Sequence, residues 1–167
     1  RCGVEHSRII WNGPIKDKER MSEFLLAGGM VKIDFISEAE YIKELAAKAY
    51  HKLNVGIRCN YDVNDGVVSR FGFDVDGEDF KKVLEIVITT SNLHFINFQC
   101  HFAKRQIEYW PARAKGMVEL LNRVGVIPER VDIGGGLFGK MADSLKAQFA
   151  SKIPEYKEYA TVAANVF

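Results

Sequence analysis

The feature that most constrains the fold of this chain is a regular alternation of short β-rich runs with segments of helical periodicity. In the helical segments, apolar residues recur three and four positions apart, as on one face of an α-helix. The five β-rich runs are Arg8–Trp11, Met30–Ile36, Val55–Tyr61, His94–Phe102 and Arg130–Ile133. Strands that alternate with helices in this way predict βαβ units, and therefore a parallel sheet with helices packed against it.

Helix-start signals accompany two of the helical segments. Ser37, with Glu40 three residues later, has the spacing of a capping box, which predicts that the second helix begins near Ser37. Pro154 precedes the last periodic segment and suits the first turn of a helix, because an N–H there has no partner within the helix.

Three consecutive glycines, Gly134, Gly135 and Gly136, follow the last β-rich run. Glycines weaken regular structure through their backbone entropy, and without side chains they leave the backbone accessible. Loops of this kind bind phosphate after strands, usually with help from a neighbouring helix N-terminus. A flexible turn after a buried strand has the same composition, so the glycines alone leave both interpretations open.

The position of the glycine run separates two parallel-sheet architectures. A doubly wound sheet usually has its glycine-rich phosphate loop after the first strand, whereas a (β/α)₈ barrel commonly binds phosphate after its late strands. Here the glycines follow the last of five strands, and the chain of 167 residues begins without Met, whereas a typical barrel has about 250 residues. We therefore predict an α/β fold in which residues 1–167 form a single segment of a larger (β/α)₈ barrel domain, with no internal boundary.

Composition argues against several classes of function. Lysine and arginine number 23 against 22 aspartate and glutamate, and a net charge of +1 provides no strong field to attract nucleic acid or an anionic membrane. No apolar run approaches the about 20 residues of a membrane-spanning helix. Cys2, Cys59 and Cys100 are widely spaced, which argues against a zinc site and a disulfide framework. We expect a cytoplasmic protein with no metal site and no nucleic-acid or membrane partner.

Two polar residues on the predicted strands are candidates for ligand binding, because barrel active sites lie where strands end. Arg58 lies within an otherwise apolar strand, and a buried arginine needs a partner. It either pairs with a core carboxylate or points at an anionic ligand. His101 lies at the end of the fourth predicted strand, and it is either a hydrogen-bonded core residue or a ring that stacks on a planar cofactor.

Six segments of the chain carry short motifs. They are Val4–Lys16, Ile33–Glu38, Ile57–Asn60, Ser69–Gly72, His101 and Asp132–Gly136. Together they resemble the barrel domain of the fold-type III pyridoxal-phosphate-dependent decarboxylases, whose fold is related to alanine racemase. The first is similar to the family's third-strand segment, and the others to its D-S-x-x-E, L-R-(I/V)-N, S-K-F-G, H-(I/V)-G-S and D-I-G-G-G patterns. The resemblance covers essentially the whole chain and implies strands three to seven of an alanine-racemase-like barrel.

The resemblance implies pyridoxal 5'-phosphate as the cofactor and gives roles to individual residues. The backbone N–H groups of Gly134–Gly136 would bind the cofactor phosphate, and His101 would stack on the pyridine ring. Arg58 would lie under or beside the cofactor. Lys104 stands where the family has the serine of H-x-G-S, so it either contacts the phosphate as a point charge or is a solvated loop residue.

The same resemblance places two catalytic residues of the family outside this chain. The Schiff-base lysine belongs to the family's first strand, and the glutamate that pairs with the pyridine nitrogen belongs to its eighth. The full-length protein is therefore expected to be a homodimeric decarboxylase of a basic or diamino acid, and residues 1–167 alone are expected to be inactive. The alternatives are a racemase or epimerase with the same cofactor, a non-catalytic protein on the same barrel, and an unrelated barrel enzyme with a phosphorylated substrate.

Overall fold

The predicted parallel sheet is present in the computed structural model, which describes residues 3–67, 69–149 and 152–167. The strands are β1 (Ile10–Trp11), β2 (Met30–Ile33), β3 (Leu53–Asn60), β4 (Phe73–Asp74), β5 (Leu93–Cys100) and β6 (Arg130–Asp132). The helices are α1 (Lys18–Leu26), α2 (Ile36–Ala46), α3 (Glu78–Thr89), α4 (Trp110–Val124), α5 (Asp143–Lys146) and α6 (Tyr156–Ala164). Two 3₁₀ helices cover His6–Arg8 and Ile107–Tyr109.

The described part of the chain packs into two compact units. The first unit holds the six strands and α1 to α3, and it consists of the described residues in Arg1–Tyr61, Ser69–Cys100 and Ile127–Asp132. The second unit holds α4 to α6, and it consists of the described residues in Asp62–Val68, His101–Val126 and Ile133–Phe167. The expectation of a single segment without an internal boundary stays a prediction.

The order of the strands identifies the architecture of the first unit. Every strand pair is parallel, and the main path of the sheet runs β1-β2-β3-β5-β6. The short β4 pairs with β3 beyond the end of β2. A doubly wound sheet reverses its strand order at a switch point, and this path has no reversal. The order is therefore that of a (β/α)₈ barrel.

A side-chain contact inside the first unit requires the sheet to be curled. Lys32 on β2 forms an ion pair with Asp132 on β6, although β3 and β5 lie between these strands. In a flat sheet, three strand spacings would separate β2 from β6 by about 14 Å, which is beyond the combined reach of a lysine and an aspartate side chain. The predicted fold class, α/β with part of a (β/α)₈ barrel, is confirmed.

The two faces of the sheet differ in polarity. Register and alternation place Lys32, Arg58, Gln99 and Asp132 on the concave face. The opposite face is apolar, and its fully buried residues include Val31, Ile33, Val55, Ile57 and Phe98. Arg58 thus belongs to a polar barrel interior and is not an isolated charge in an apolar strand.

Each of the longer helices buries one apolar stripe. The core residues of α1, α2 and α3 are Met21, Leu25, Ala39, Ile42, Ala46, Phe80, Val83 and Val87. In the second unit, Trp110 of α4 packs edge to face on Tyr159 of α6, with ring centroids 5.0 Å apart, and Ala163 completes that core. Tertiary packing thus covers the apolar stripe of each of these helices.

Several predicted strand boundaries are wrong. Arg8 belongs to a 3₁₀ helix and not to the first strand. The second strand ends at Ile33, because α2 already begins at Ile36. The fourth predicted strand ends at Cys100, so His101 lies in the following loop. Neither β4 nor α5, of two and four residues, was predicted as a separate element.

The capping box expected at Ser37 and Glu40 is also wrong. Helix α2 begins at Ile36, which makes Glu38 the third helical residue. The Glu38 carboxylate accepts a hydrogen bond from the backbone N–H of Asp34 at 2.9 Å. The acidic residue that satisfies this helix start is therefore Glu38, which also belongs to the charge network described below.

Pro154 precedes α6 and does not occupy its first turn. Glu155 is the N-cap, and Glu155 and Glu158 form a reciprocal capping box. The box satisfies backbone N–H groups at the helix start, which have no acceptor within the helix.

None of the helices in the described ranges is long and apolar enough to cross a membrane. Cys59 and Cys100 are buried in the sheet, and Cys2 lies outside the described residues.

Candidate functional site

The glycine run forms an open loop in the second unit. Gly134 and Gly136 have positive φ angles of 78° and 85°, which favour glycine over any residue with a side chain. Gly135 between them is exposed, and a Cβ placed on it would meet no atom within 4 Å. The loop therefore needs glycine for its backbone conformation at two positions and has open space in front of the third.

His101 contacts this loop directly. The backbone N–H of Gly135 donates a hydrogen bond to His101 Nδ1, with 3.2 Å between the two nitrogens. An accepting Nδ1 belongs to the neutral tautomer that carries its proton on Nε2. His101 is exposed, so it is not a buried core histidine. The hydrogen bond holds the imidazole ring beside the glycine loop. The stacking of this ring on a cofactor stays a prediction.

Arg113 on α4 is a functional candidate that the sequence reasoning missed. Its side chain is fully buried, and its guanidinium donates hydrogen bonds to the backbone carbonyl oxygens of Gly135 (3.0 Å), Phe102 (3.4 Å) and Lys104. The guanidinium carbon also lies 4.6 Å from the ring centroid of Trp110. One buried cation therefore connects the glycine loop to the loop that follows β5.

The signal for Arg113 was present in the helix pattern. The buried residues of α4 are Trp110, Arg113, Ala114, Met117 and Leu120, which recur three and four positions apart. A charged residue on such a stripe is unusual, because buried arginine needs hydrogen-bond partners. Arg113 could thus have been identified as a candidate for a specific contact.

Tyr159 on α6 makes a further contact with the loop that follows β5. Its hydroxyl donates a hydrogen bond to the carbonyl oxygen of Arg105 at 2.6 Å. Burial raises the pKa of Tyr159 above the ordinary value, so the hydroxyl stays protonated and remains a donor. The loop that contains half-buried Lys104 is therefore fixed at its backbone, whereas a contact of the Lys104 ammonium with phosphate stays a prediction.

A network of buried charges lies at the end of β2 and β3 in the first unit. Arg58 donates to Asp34 Oδ1 at 3.2 Å, and the Lys16 ammonium lies 3.5 Å from Asp34 Oδ2. Lys16 also donates to Glu38 Oε1 at 2.9 Å and to the carbonyl oxygen of Gly13 at 2.6 Å. Burial raises the pKa of Glu38, while the hydrogen bond from Lys16 acts in the opposite direction. The network balances two cations against two carboxylates.

Of the two interpretations of Arg58, the structure shows the first: Arg58 pairs with the carboxylate of Asp34. Its Nε is buried and has no hydrogen-bond partner within the described residues. Gly72 packs against it with φ of 80°, and a Cβ there would lie 2.9 Å from the Arg58 carbonyl oxygen. The ring of Phe71 lies 5.3 Å from the guanidinium carbon. The Ser69–Gly72 segment is therefore packed over Arg58. Binding of the cofactor by Arg58 stays a prediction.

These observations define a class of protein: an α/β chain that forms part of an alanine-racemase-like (β/α)₈ barrel, with a glycine loop after its last described strand. Solved structures share this fold. Diaminopimelate decarboxylase from M. jannaschii superposes with a TM-score of 0.82 at 24% identity, over 98% of this chain and 40% of that one. Alanine racemase from Clostridium difficile 630 gives a TM-score of 0.57 at 19% identity, over 73% of this chain and 32% of that one.

The chain belongs to the pyridoxal-dependent decarboxylases: residues 1–165 match the model of their pyridoxal binding domain. Pyridoxal phosphate is the cofactor that this membership implies. The chain is 25% identical to diaminopimelate decarboxylase from Aquifex aeolicus, over 82% of this chain and 36% of that protein. It is 28% identical to diaminopimelate decarboxylase from Actinosynnema pretiosum, over 80% of this chain and 33% of that protein. The chain thus spans about a third of the length of these relatives.

The residues of the second unit fit the phosphate end of that cofactor. The open space in front of Gly135 admits a bulky anion, and the positive φ angles keep the neighbouring backbone free of side chains. The buried charge of Arg113 lies directly behind this backbone. Backbone N–H groups, close approach and a nearby cation are what phosphate sites use.

Proposed function

We propose that this chain is the cofactor-binding part of a pyridoxal-phosphate-dependent amino-acid decarboxylase, a lyase that releases CO2 from a basic or diamino acid. The observation that carries the proposal is the open glycine loop Gly134–Gly136, at the place where the family has its D-I-G-G-G segment. The relatives named above are diaminopimelate decarboxylases, and one similar solved structure is a complex with L-lysine, which supports this substrate class.

In this proposal, the backbone of Gly134–Gly136 binds the cofactor phosphate and Lys104 adds a point charge beside it. His101 lies against the pyridine ring and, through Nδ1, accepts the Gly135 N–H that positions the loop. When bound, pyridoxal phosphate withdraws electrons from the bond to the substrate carboxylate, which is the chemistry that the protein itself cannot supply. The residues of the chain bind and orient the group.

Arg58 is also proposed to bind the cofactor. Its pair with Asp34 fixes the direction of the guanidinium, and the ring of Phe71 and the backbone of Gly72 cover it. A guanidinium held in this way keeps its charge and its geometry, because arginine stays protonated in proteins. Replacement by lysine would keep the charge but would lose the fork of donors.

We further propose that the full-length protein is cytoplasmic, acts as a homodimer, and binds neither nucleic acid nor membrane. The near-neutral composition supports the absence of binding to nucleic acid and to membrane, because electrostatic binding to either of these anionic surfaces requires a basic patch. Residues 1–167 alone are proposed to be inactive, since the reacting end of the cofactor needs residues that the family has on other strands.

The deciding experiment uses the full-length protein with pyridoxal phosphate and a panel of basic and diamino acids. CO2 release and a visible absorbance band of retained cofactor are expected for at least one substrate. Failure to retain the cofactor and to release CO2 rejects the proposal. A change of optical rotation without CO2 release identifies a racemase or epimerase instead.

A non-catalytic pyridoxal-phosphate-binding protein on the same barrel is the second candidate. The presence of Lys104 where the family has a serine favours it, because a hydroxyl ligand of the phosphate has been replaced by an ammonium. In this case the full-length protein retains the cofactor but neither releases CO2 nor changes the optical rotation of any amino acid in the panel.

A further inference from the structure

We propose that Arg113 is a positioning residue of the phosphate site: it orients the glycine loop so that the N–H of Gly136 faces the ligand. This inference rests on the proposed function, because it requires a phosphate group at the loop. It adds to that function a residue on α4 that belongs to none of the motifs carrying the family resemblance.

The first step is the geometry of one peptide bond. The guanidinium of Arg113 donates to the carbonyl oxygen of Gly135 at 3.0 Å. None of the described peptide bonds is cis, and in a planar trans peptide the C=O and the following N–H point in opposite directions. The N–H of Gly136 therefore points away from Arg113, and the space in front of the neighbouring Gly135 is open.

The second step is that the same guanidinium also binds the loop after β5. It donates to the carbonyl oxygens of Phe102, at 3.4 Å, and of Lys104. By the same rule, the N–H groups of Ala103 and Arg105 point away from Arg113. Two loops of the second unit are thus held by one side chain, and the backbone of Lys104 is fixed relative to Gly135.

The third step is electrostatic. The side chain of Arg113 is fully buried, and an arginine stays protonated, so a positive charge lies behind the loop. Three carbonyl oxygens and the ring of Trp110, whose centroid is 4.6 Å from the guanidinium carbon, stabilise that charge. A peptide whose carbonyl binds a cation is polarised, which makes its N–H a stronger donor. The charge also attracts a phosphate dianion in a region of low dielectric.

The test compares two ligands that differ only in the phosphate. Affinities of pyridoxal phosphate and pyridoxal are measured by equilibrium dialysis with the full-length protein, as wild type and as Arg113→Met. We expect pyridoxal phosphate to bind roughly tenfold to hundredfold more weakly to the variant, the range for one or two hydrogen bonds to a charged group. The affinity for pyridoxal is expected to stay within about threefold, because it makes no use of the phosphate contacts.

Arg123→Met is the matched control, since Arg123 is an exposed arginine on the same helix. It should change neither affinity. If Arg113→Met does not fold, as judged by circular dichroism, Arg113→Lys decides: it keeps the charge but is shorter and lacks the planar fork of donors that spans the three carbonyl oxygens, and it should weaken the binding of pyridoxal phosphate alone.

Equal losses for both ligands would assign Arg113 a purely structural role and would overturn the inference, as would unchanged affinities. A wild-type protein that binds neither ligand overturns the proposed function itself. A wild-type protein that binds pyridoxal phosphate more tightly than pyridoxal, together with an Arg113→Met variant that keeps this preference, overturns only the role of Arg113.

Discussion

Lys32 and Asp132 form an ion pair across the concave face of the sheet, although two strands separate them. The partners differ in environment: the Lys32 side chain is 1% exposed, whereas that of Asp132 is 38% exposed. Lys32 alone would leave a charge with almost no access to water, whereas Asp132 alone can be hydrated. The two members of the pair are therefore not equivalent.

Removal of Asp132 is expected to destabilise the protein more than removal of Lys32. Asp132→Ala leaves a buried ammonium without its carboxylate and should lower the free energy of unfolding by about 3 kcal/mol. Lys32→Met leaves an apolar chain of similar length and a carboxylate that water reaches, and should cost about 1 kcal/mol. Urea unfolding of both variants and of the double variant measures the difference. A larger loss for Lys32→Met would contradict the prediction.

Glu38 is expected to make stability depend on pH. Burial raises its pKa above the ordinary value of 4.5, so the folded state retains a proton at pH values where the unfolded state has lost it. Stability from this group is therefore fully present below pH 4.5 and is lost as the pH rises through the raised pKa of the folded state.

Relative to Glu38→Gln, the wild type should thus become less stable as the pH rises through the raised pKa of Glu38 in the folded state. Glu40→Gln, at an exposed position of the same helix, is the control and should show no such trend. The free energy of unfolding of all three proteins is measured as a function of pH. A stability of the wild type that increases with pH relative to Glu38→Gln would contradict the prediction.

Gly72 and Gly66 provide a matched pair for the packing over Arg58. Both have positive φ, of 80° and 74°, so alanine should cost about 1 kcal/mol of backbone strain at either position. At Gly72 the new Cβ also lies 2.9 Å from the Arg58 carbonyl oxygen, whereas at Gly66 it meets nothing within 4 Å. We expect Gly72→Ala to lower the free energy of unfolding by roughly 3 kcal/mol in total. Equal costs in urea unfolding would show that the contact relaxes freely.

Much of the fold could be predicted from local pattern. Periodicity found α1 to α4 and α6, and the five longer runs found the strands on the main path, because each element buries one side. The predicted element boundaries were wrong where a side chain outside the apolar pattern determines the end of an element. The helix after β2 begins at Ile36, and its third residue, Glu38, accepts the N–H of Asp34, a contact that spacing rules assigned to Ser37 and Glu40.

The site was only partly predictable, because its contacts join distant parts of the chain. The glycine loop and His101 could be found from motifs. The partners of Arg58 could be narrowed only to a carboxylate or a ligand, since Asp34 lies 24 positions away. Arg113 binds carbonyl oxygens, and a backbone acceptor leaves no trace in residue identity. Such contacts become visible only when the loops have been placed.

Gly135→Val tests whether the loop is a phosphate site or a turn. Gly135 lacks a positive φ, and a Cβ there meets no atom within 4 Å, so the variant should fold with an unchanged melting temperature. The side chain would occupy the space in front of the loop, and the affinity for pyridoxal phosphate should fall at least about tenfold. An unchanged affinity, measured with the full-length protein, would identify the loop as a turn.

His101 has two separable contributions, its ring and the acceptor Nδ1 that binds the Gly135 N–H. His101→Phe keeps a ring but has no acceptor, and His101→Asn keeps an acceptor but has no ring. If stacking is the main contribution, His101→Phe should bind pyridoxal phosphate within about threefold of wild type, while His101→Asn should bind at least about tenfold more weakly. Equilibrium dialysis with pyridoxal as a second ligand separates the roles, because stacking affects both ligands and loop positioning affects only the phosphorylated one. If His101→Phe instead binds pyridoxal phosphate more weakly than His101→Asn does, and its affinity for pyridoxal is unchanged, the main role of His101 is to position the glycine loop.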